Sequence, residues 1–263
     1  WATLASMPPM TPNPSGFASC HPVSGRETGP AMACAPRPDP FAPLAITLDL
    51  DDPVWPIGPV IERAEARLVD WLAAAAPATL ARWGVEGLRR LRAEIGRLRP
   101  DLRHDLTALR RLSLQEALQT AGDDPALADP AFEVFFVARQ EVEPYPEAVE
   151  ALARLAARFP VLGLTNGNAD LARIGLAPHF VGCLSARELG VAKPDPRVFA
   201  AACERLGLPS AQVLHVGDDW AMDVLGARGA GQPAVWVRRA DHAGAAPPVL
   251  PAGVHRVADL AEL

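Results

Sequence analysis

Residues 45–52 read Ala45-Ile46-Thr47-Leu48-Asp49-Leu50-Asp51-Asp52, a short apolar run that meets three carboxylates in its last four positions. The run is apolar without alternation, which predicts a parallel strand buried on both faces. A strand that ends in acids places them at its carboxyl end, where open α/β sheets bind their ligands. Neighbouring carboxylates repel one another unless a cation or a proton is shared among them. This stretch therefore predicts both a fold and a site.

Composition narrows the classes around it. A chain of 263 residues buries a full core and suits one α/β domain with an insertion, or two small domains. A net charge of −6 argues against a nucleic-acid binder, which would be basic. No apolar run approaches the roughly 18–20 residues that span a bilayer; the longest, Val69 to Ala81, is broken by Asp70 and Pro77. Cys20, Cys34, Cys183 and Cys203 are widely separated with no metal-ligand spacing, which fits a reducing cytoplasm better than a disulfide framework. Of 25 basic residues, Lys193 is the one lysine, so a compact ammonium is expected to matter there.

Residues 1–40 carry nine prolines and no sustained periodicity, which predicts a disordered or loosely held segment outside the fold. The first residue is Trp rather than Met, leaving open a fragment, a processed form or upstream read-through, with Met32 as an internal start. No signal-peptide pattern is present. After the first strand, Ile61, Ala64, Leu68, Trp71 and Leu72 recur at helical spacing up to Pro77. Further helices are expected at 85–99, 104–121 and 130–142. From Pro144 the texture alternates: a helix at 146–158, a strand at 161–164, a helix at 168–174 capped by Asn168, and a short strand at 182–185. A helix at 195–206, a strand at 213–216, a helix at 220–229 and a closing strand at 234–237 follow. Such alternation implies right-handed βαβ units and a parallel sheet. The expected division is a core of residues 41–58 and 144–263, interrupted by an all-helical block over 59–143.

Several strand ends carry residues suited to phosphoryl chemistry: Asp49-Leu50-Asp51, then Thr165-Asn166, then Lys193-Pro194, then Gly217-Asp218-Asp219 with Asp223. In this order and context the motifs resemble those of the haloacid dehalogenase-like hydrolase superfamily, over about residues 44–240. The resemblance implies an α/β fold with a Rossmann-like parallel-sheet core and an inserted helical cap. It implies that Asp49 is a nucleophile forming an aspartyl-phosphate, Asp51 a general acid and base, and Lys193 a stabiliser of phosphoryl charge. Thr165, through its hydroxyl, and Asn166, through its backbone N–H, would hold phosphate oxygens. Mg²⁺ would be bound by Asp49, Asp218 and the Asp51 carbonyl, with Asp223 acting through water.

Asp51 favours a phosphatase or phosphomutase over a dehalogenase, because a halide leaves without protonation. The segment from Thr165 to Leu176 resembles small bacterial phosphatases of flavin mononucleotide and related ribityl or sugar phosphates. The function implied is Mg²⁺-dependent hydrolysis of a small phosphorylated metabolite by a monomer or homodimer, with no nucleic-acid or membrane partner. A mobile cap would close over the core.

Two features depart from this pattern. Pro53 stands where the family has Thr or Val, removing an N–H and pushing Asp52 from helical dihedrals. That leaves open an impaired site, or a binding or regulatory protein on the same fold, beside the rival 2-haloacid dehalogenase. Residues 82–111 hold nine arginines against Glu86, Glu94, Asp101 and Asp105. This is a solvated helical face, or some of these arginines hold an anionic substrate. His215, inside an apolar strand, is expected to be a core histidine rather than a ligand.

Overall fold

The computed structural model describes residues 43–240 and 249–263. The expectations for residues 1–40, including Cys20 and Cys34, lie outside the described residues. Among the described residues six strands form one parallel sheet: β1 (Ala45–Leu48), β2 (Val161–Thr165), β3 (Gly182–Ser185), β4 (Val213–Gly217), β5 (Ala234–Val237) and β6 (Val254–Val257). Their order is β3-β2-β1-β4-β5-β6. All four residues of β1 are buried, as its unbroken apolar run requires. The chain winds outward through β2 and β3, then crosses back to β4 on the other side of β1. The topological switch point therefore lies between β1 and β4, and the acids after both strands meet there.

Both faces of the sheet are covered. Ile46, Leu48 and Val216 pack with Leu152 and Leu155 of α5 (Ala148–Ala156, the fifth helix in chain order) on one face. Leu162, Leu164 and Trp236 pack with Phe199 and Val224 on the other. Each fully buried Leu or Phe of this kind contributes about 1.5–3 kcal/mol relative to an exposed one.

Between β1 and β2 the chain is helical: α1 (Ile57–Ala75), α2 (Pro77–Leu98), α3 (Leu106–Ala121) and α4 (Ala128–Arg139). They enclose their own apolar cluster, built on Leu68, Leu72, Leu114, Leu118, Phe132 and Phe135. Pro77, expected to stop a helix, ends α1 and also opens α2, because a first-turn proline lacks only an N–H that the helix does not use. Gly84 (φ 57°, ψ −178°) breaks α2 where the expected 85–99 helix was to begin, so residues 77–83 form an additional helical stretch.

The remaining helices are α6 (Leu171–Ile174), α7 (Ala186–Leu189), α8 (Pro196–Leu206) and α9 (Gly226–Gly229). Here the structure corrects the sequence reading in four places. The helix expected from Asn168 begins at Leu171, capped by Asp170, which accepts from Ala172 and Arg173 N–H. Asn168 is drawn away by Arg139 instead. The helix expected at 220–229 is a π-helical turn, Trp220–Leu225, running into α9. Helix α7 was not anticipated, although Ser185 and Glu188 form a reciprocal capping box in the sequence. Strand β6 was missed because it is a short edge strand whose His255 and Arg256 are exposed, which hides the apolar signal.

Candidate active site

The site begins where β1 ends. Asp49 continues the strand by donating its N–H to the Val216 carbonyl (2.9 Å), which holds it beside β4. Leu50 is fully buried, so Asp49 and Asp51 flank an anchored residue. The Asp51 carboxylate accepts Arg139 Nη2 on both oxygens at 2.7 Å and Trp55 Nε1 on Oδ1 at 2.9 Å. Asp52 adopts φ 74°, a left-handed conformation that aspartate tolerates better than most residues. Its side chain then accepts the Ile57 N–H at 3.0 Å, capping α1. Pro53 therefore sits in a tight turn rather than a helix, and Asp52 is outside right-handed helical dihedrals, though left-handed rather than in the extended conformation a following proline favours. The Pro53 carbonyl accepts from buried Arg239 at 2.7 Å.

Lys193 reaches the site from the loop after α7. The Asn166 amide fixes it by accepting the Lys193 N–H (2.8 Å) and donating to the Lys193 carbonyl (3.0 Å). Its ammonium lies 2.8 Å from Asp49 Oδ1 and 2.6 Å from Asp223 Oδ1. Asp223 is almost wholly buried; Oδ1 also accepts from His215 Nε2 at 3.1 Å, and Oδ2 accepts the Asp219 N–H at 3.0 Å. Thr47, paired with His215 in the β1–β4 register, closes the chain with a 2.9 Å bond from its hydroxyl to Nδ1. Because a carboxylate only accepts, Nε2 of a neutral His215 carries the proton. His215 is thus a satisfied core histidine, edge-on to Phe199, and also a support for the site.

Two glycines make room. A Cβ on Gly217 would lie 2.3 Å from Asp223 Cγ, and one on Gly167 would lie 2.6 Å from Asp51 Oδ2. Thr165, at the end of β2, accepts the Gly167 N–H at 2.8 Å, leaving its hydroxyl proton to donate outward.

The electrostatics follow from burial. Burial, with the Asp223 and Asp51 charges, outweighs the attraction of Lys193 and raises Asp49 to about 7. Burial and the charges of Asp49, Asp223 and Asp52 push Asp218 up to about 8. Asp223 is opposed by burial, yet Lys193 and His215 hold it below the ordinary carboxylate range. Lys193, although buried, is held above the usual lysine range by Asp223 and Asp49. Burial pulls His215 down, keeping it neutral.

Carboxylate oxygens of Asp49, Asp218 and Asp223 lie within 4.8 Å of one another. Two of the three are pushed up by burial and then by one another's charge, so this all-oxygen group suits a hard divalent cation. Asp51 directs its carboxylate to Arg139 and Trp55, outside that trio. The structure thus brings Asp49, Asp51, Thr165, Asn166, Lys193, Asp218 and Asp223 to one end of the sheet. Sequence reasoning missed Arg139 and Trp55, and it gave no role to Gly167 or to Gly217, although Gly217 stands in the Gly217-Asp218-Asp219 motif. Arg139 had a faint signal, a cation closing the apolar run Val134–Ala138 of α4.

The arginine-rich stretch is largely a solvated face, with exposed pairs Arg97–Glu94 and Arg99–Asp101. Arg92 and Arg110 differ, because they line a cavity of about 420 Å³ together with Asp51 and Arg139.

Fold and site define a doubly wound α/β hydrolase with a helical insertion and an acid-rich centre at the switch point. The chain belongs to the haloacid dehalogenase-like hydrolases, whose family model matches residues 44–231. It is 34% identical over 198 residues to the 5-amino-6-(5-phospho-D-ribitylamino)uracil phosphatase YigB of Escherichia coli K12, covering 74% of this chain and 83% of that one. A phosphoserine phosphatase of Thermus thermophilus is 38% identical over 185 residues, 66% of this chain and 70% of the relative. A solved 2-haloacid dehalogenase from Pseudomonas syringae pv. tomato DC3000 superposes with a TM-score of 0.75 at 39% identity, covering 84% of this chain and 96% of its own. Among the described residues no helix is long and apolar enough to cross a membrane.

Proposed function

We propose that the protein is a Mg²⁺-dependent phosphomonoester hydrolase that works through an aspartyl-phosphate on Asp49. The observation that carries this reading is the second carboxylate. Asp51 is held beside Asp49 by Arg139 and Trp55. A departing alkoxide needs an acid there, and a departing halide does not.

Lys193 holds Asp49 Oδ1, which leaves the other oxygen to attack phosphorus as the bond to the ester oxygen breaks. Asp51 protonates that oxygen, then takes a proton from the water that displaces phosphate from Asp49. The Thr165 hydroxyl donates to a phosphate oxygen. The Asn166 side chain is committed to Lys193, so its contribution there is the backbone N–H. Mg²⁺, held by Asp49, Asp218 and the Asp51 carbonyl with Asp223 through water, would supply the charge neutralisation that lets a carboxylate approach a phosphate dianion. The block 59–143 serves as a cap over the core of 41–58 and 144–263, and its closure excludes water.

Support for a phosphatase comes from the two relatives named as phosphatases. The solved relative named a 2-haloacid dehalogenase favours a second reading, halide displacement by the same Asp49. The test measures phosphate release from a panel of small esters, flavin mononucleotide included, with Mg²⁺ or excess chelator. Halide release from 2-haloacids is followed in parallel. Metal-dependent phosphate release, lost in Asp49→Asn, is expected. Halide release without phosphate release would replace this reading by the dehalogenase.

A further inference from the structure

The cavity of about 420 Å³ beside Asp51 is walled by Arg92, Arg110 and Arg139, with Ile61, Leu109 and Phe135 as its apolar side. Against three guanidinium groups the lining offers one carboxylate, Asp51, and Arg139 already engages it. Glu65 stands behind the wall, and Arg89 holds it at 2.7 Å. Arg92 lies 3.8 Å and Arg110 3.7 Å from the same carboxylate, too long for good hydrogen bonds. One acid is thus shared by three cations.

Two of the cavity's guanidinium groups have N–H capacity left over in buried positions. Arg110 is 9% exposed, with its Cζ 3.5 Å from the centroid of the Phe135 ring. Burial and the charge of Arg92 pull it down to about 9, against the opposing pull of Glu65. Arg139 is 1% exposed; it binds Asp51 and Asn168, yet its Nη1 is buried with no hydrogen-bond partner. A buried donor without an acceptor is costly, and native structures leave few of them. Arg110 and Arg139 both line the cavity beside Asp51, and a guanidinium fork matches a carboxylate or phosphate.

We propose that this cavity selects phosphomonoesters whose organic part carries a second anionic group, held by Arg110 with Arg92, while Arg139 keeps Asp51 in place. The apolar side accommodates an uncharged body between the two anions. This inference rests on the phosphatase reading for its scissile phosphate.

The test compares matched esters of two to four carbons: ω-hydroxyalkyl phosphates, ω-carboxyalkyl phosphates and alkane bisphosphates. The expected result is a kcat/KM preference of at least about tenfold for the doubly anionic esters, falling towards one in Arg110→Gln. The carboxylate and bisphosphate arms identify which anion is preferred. Arg92→Gln, at a half-exposed position, is expected to lower the same preference if loss of Arg110 disturbs folding. Calorimetry on Asp49→Asn protein, with and without Arg110→Gln, compares binding of the same esters without turnover. No preference in the wild type, or a preference unchanged in both arginine variants, overturns the proposal. If no ester is hydrolysed but the binding preference exists and needs Arg110, the phosphatase reading alone falls.

Discussion

Lys193 shows at the residue scale why this chain keeps one lysine. Its ammonium fits between Asp49 and Asp223 at 2.8 and 2.6 Å in a buried slot. A planar guanidinium cannot take that position without moving one of the acids. Lys193→Arg is therefore expected to lower kcat by about a hundredfold or more, as loss of a preorganised charge does. Lys193→Met would also strand two buried carboxylates, at about 3–5 kcal/mol, read by chemical denaturation. Pro53 leads to the opposite expectation. It occupies a turn ahead of α1 and interrupts no helical ladder, while Asp51 is fixed by Arg139 and Trp55. Pro53→Thr should change kcat/KM by far less than the roughly hundredfold of a 1 Å misplacement. A large gain in the variant would show that proline does impair the site.

At the scale of elements, strand ends and helix breaks set the geometry. Gly217 ends β4 where Asp223 folds back against it, and a methyl group there would collide with that carboxylate. Gly217→Ala is expected to push Asp223 off Lys193 and abolish phosphate release, while circular dichroism shows the sheet and helices retained. Gly84 serves the insertion differently. Its φ of 57° with ψ of −178° is a glycine region, and it lets α2 change direction. Gly84→Ala should cost about 1–3 kcal/mol in denaturant unfolding. Its effect on turnover should be smaller than its effect on stability, because Gly84 does not line the cavity beside Asp51.

For the whole molecule, the acidic centre makes stability depend on pH and metal together. Asp49 and Asp218 titrate near 7 and 8 in the fold, against an ordinary value of 3.8. Between those limits the folded chain holds more protons than the unfolded one, so stability falls as pH rises. Asp223 has the opposite sign: its contribution is present above its unfolded value and is lost only in strong acid. In excess chelator the Tm is expected to fall between pH 5 and pH 8. Mg²⁺ should restore it, with the larger gain at pH 8, where Asp49 is mostly and Asp218 about half deprotonated. Equal Tm values across that range, or an equal Mg²⁺ gain at both ends, would contradict the charge balance described here.

The sequence by itself determined the strand-to-acid junction at Asp49, the alternation that builds the parallel sheet, the helical insertion and the membership in the family. Each of these is written in local period and in residues adjacent along the chain. Only the tertiary structure decided that Arg139 holds Asp51, that Thr47 holds His215 against Asp223, and that Arg92 and Arg110 leave the solvated face for the cavity. These contacts join residues far apart in sequence, such as Asp51 with Arg139 and Thr47 with His215. No periodicity records such pairs, because they exist only once β1 pairs with β4 and the insertion packs against the sheet. The edge strand β6 was hidden for a related reason: its place comes from pairing with β5 rather than from an apolar pattern of its own.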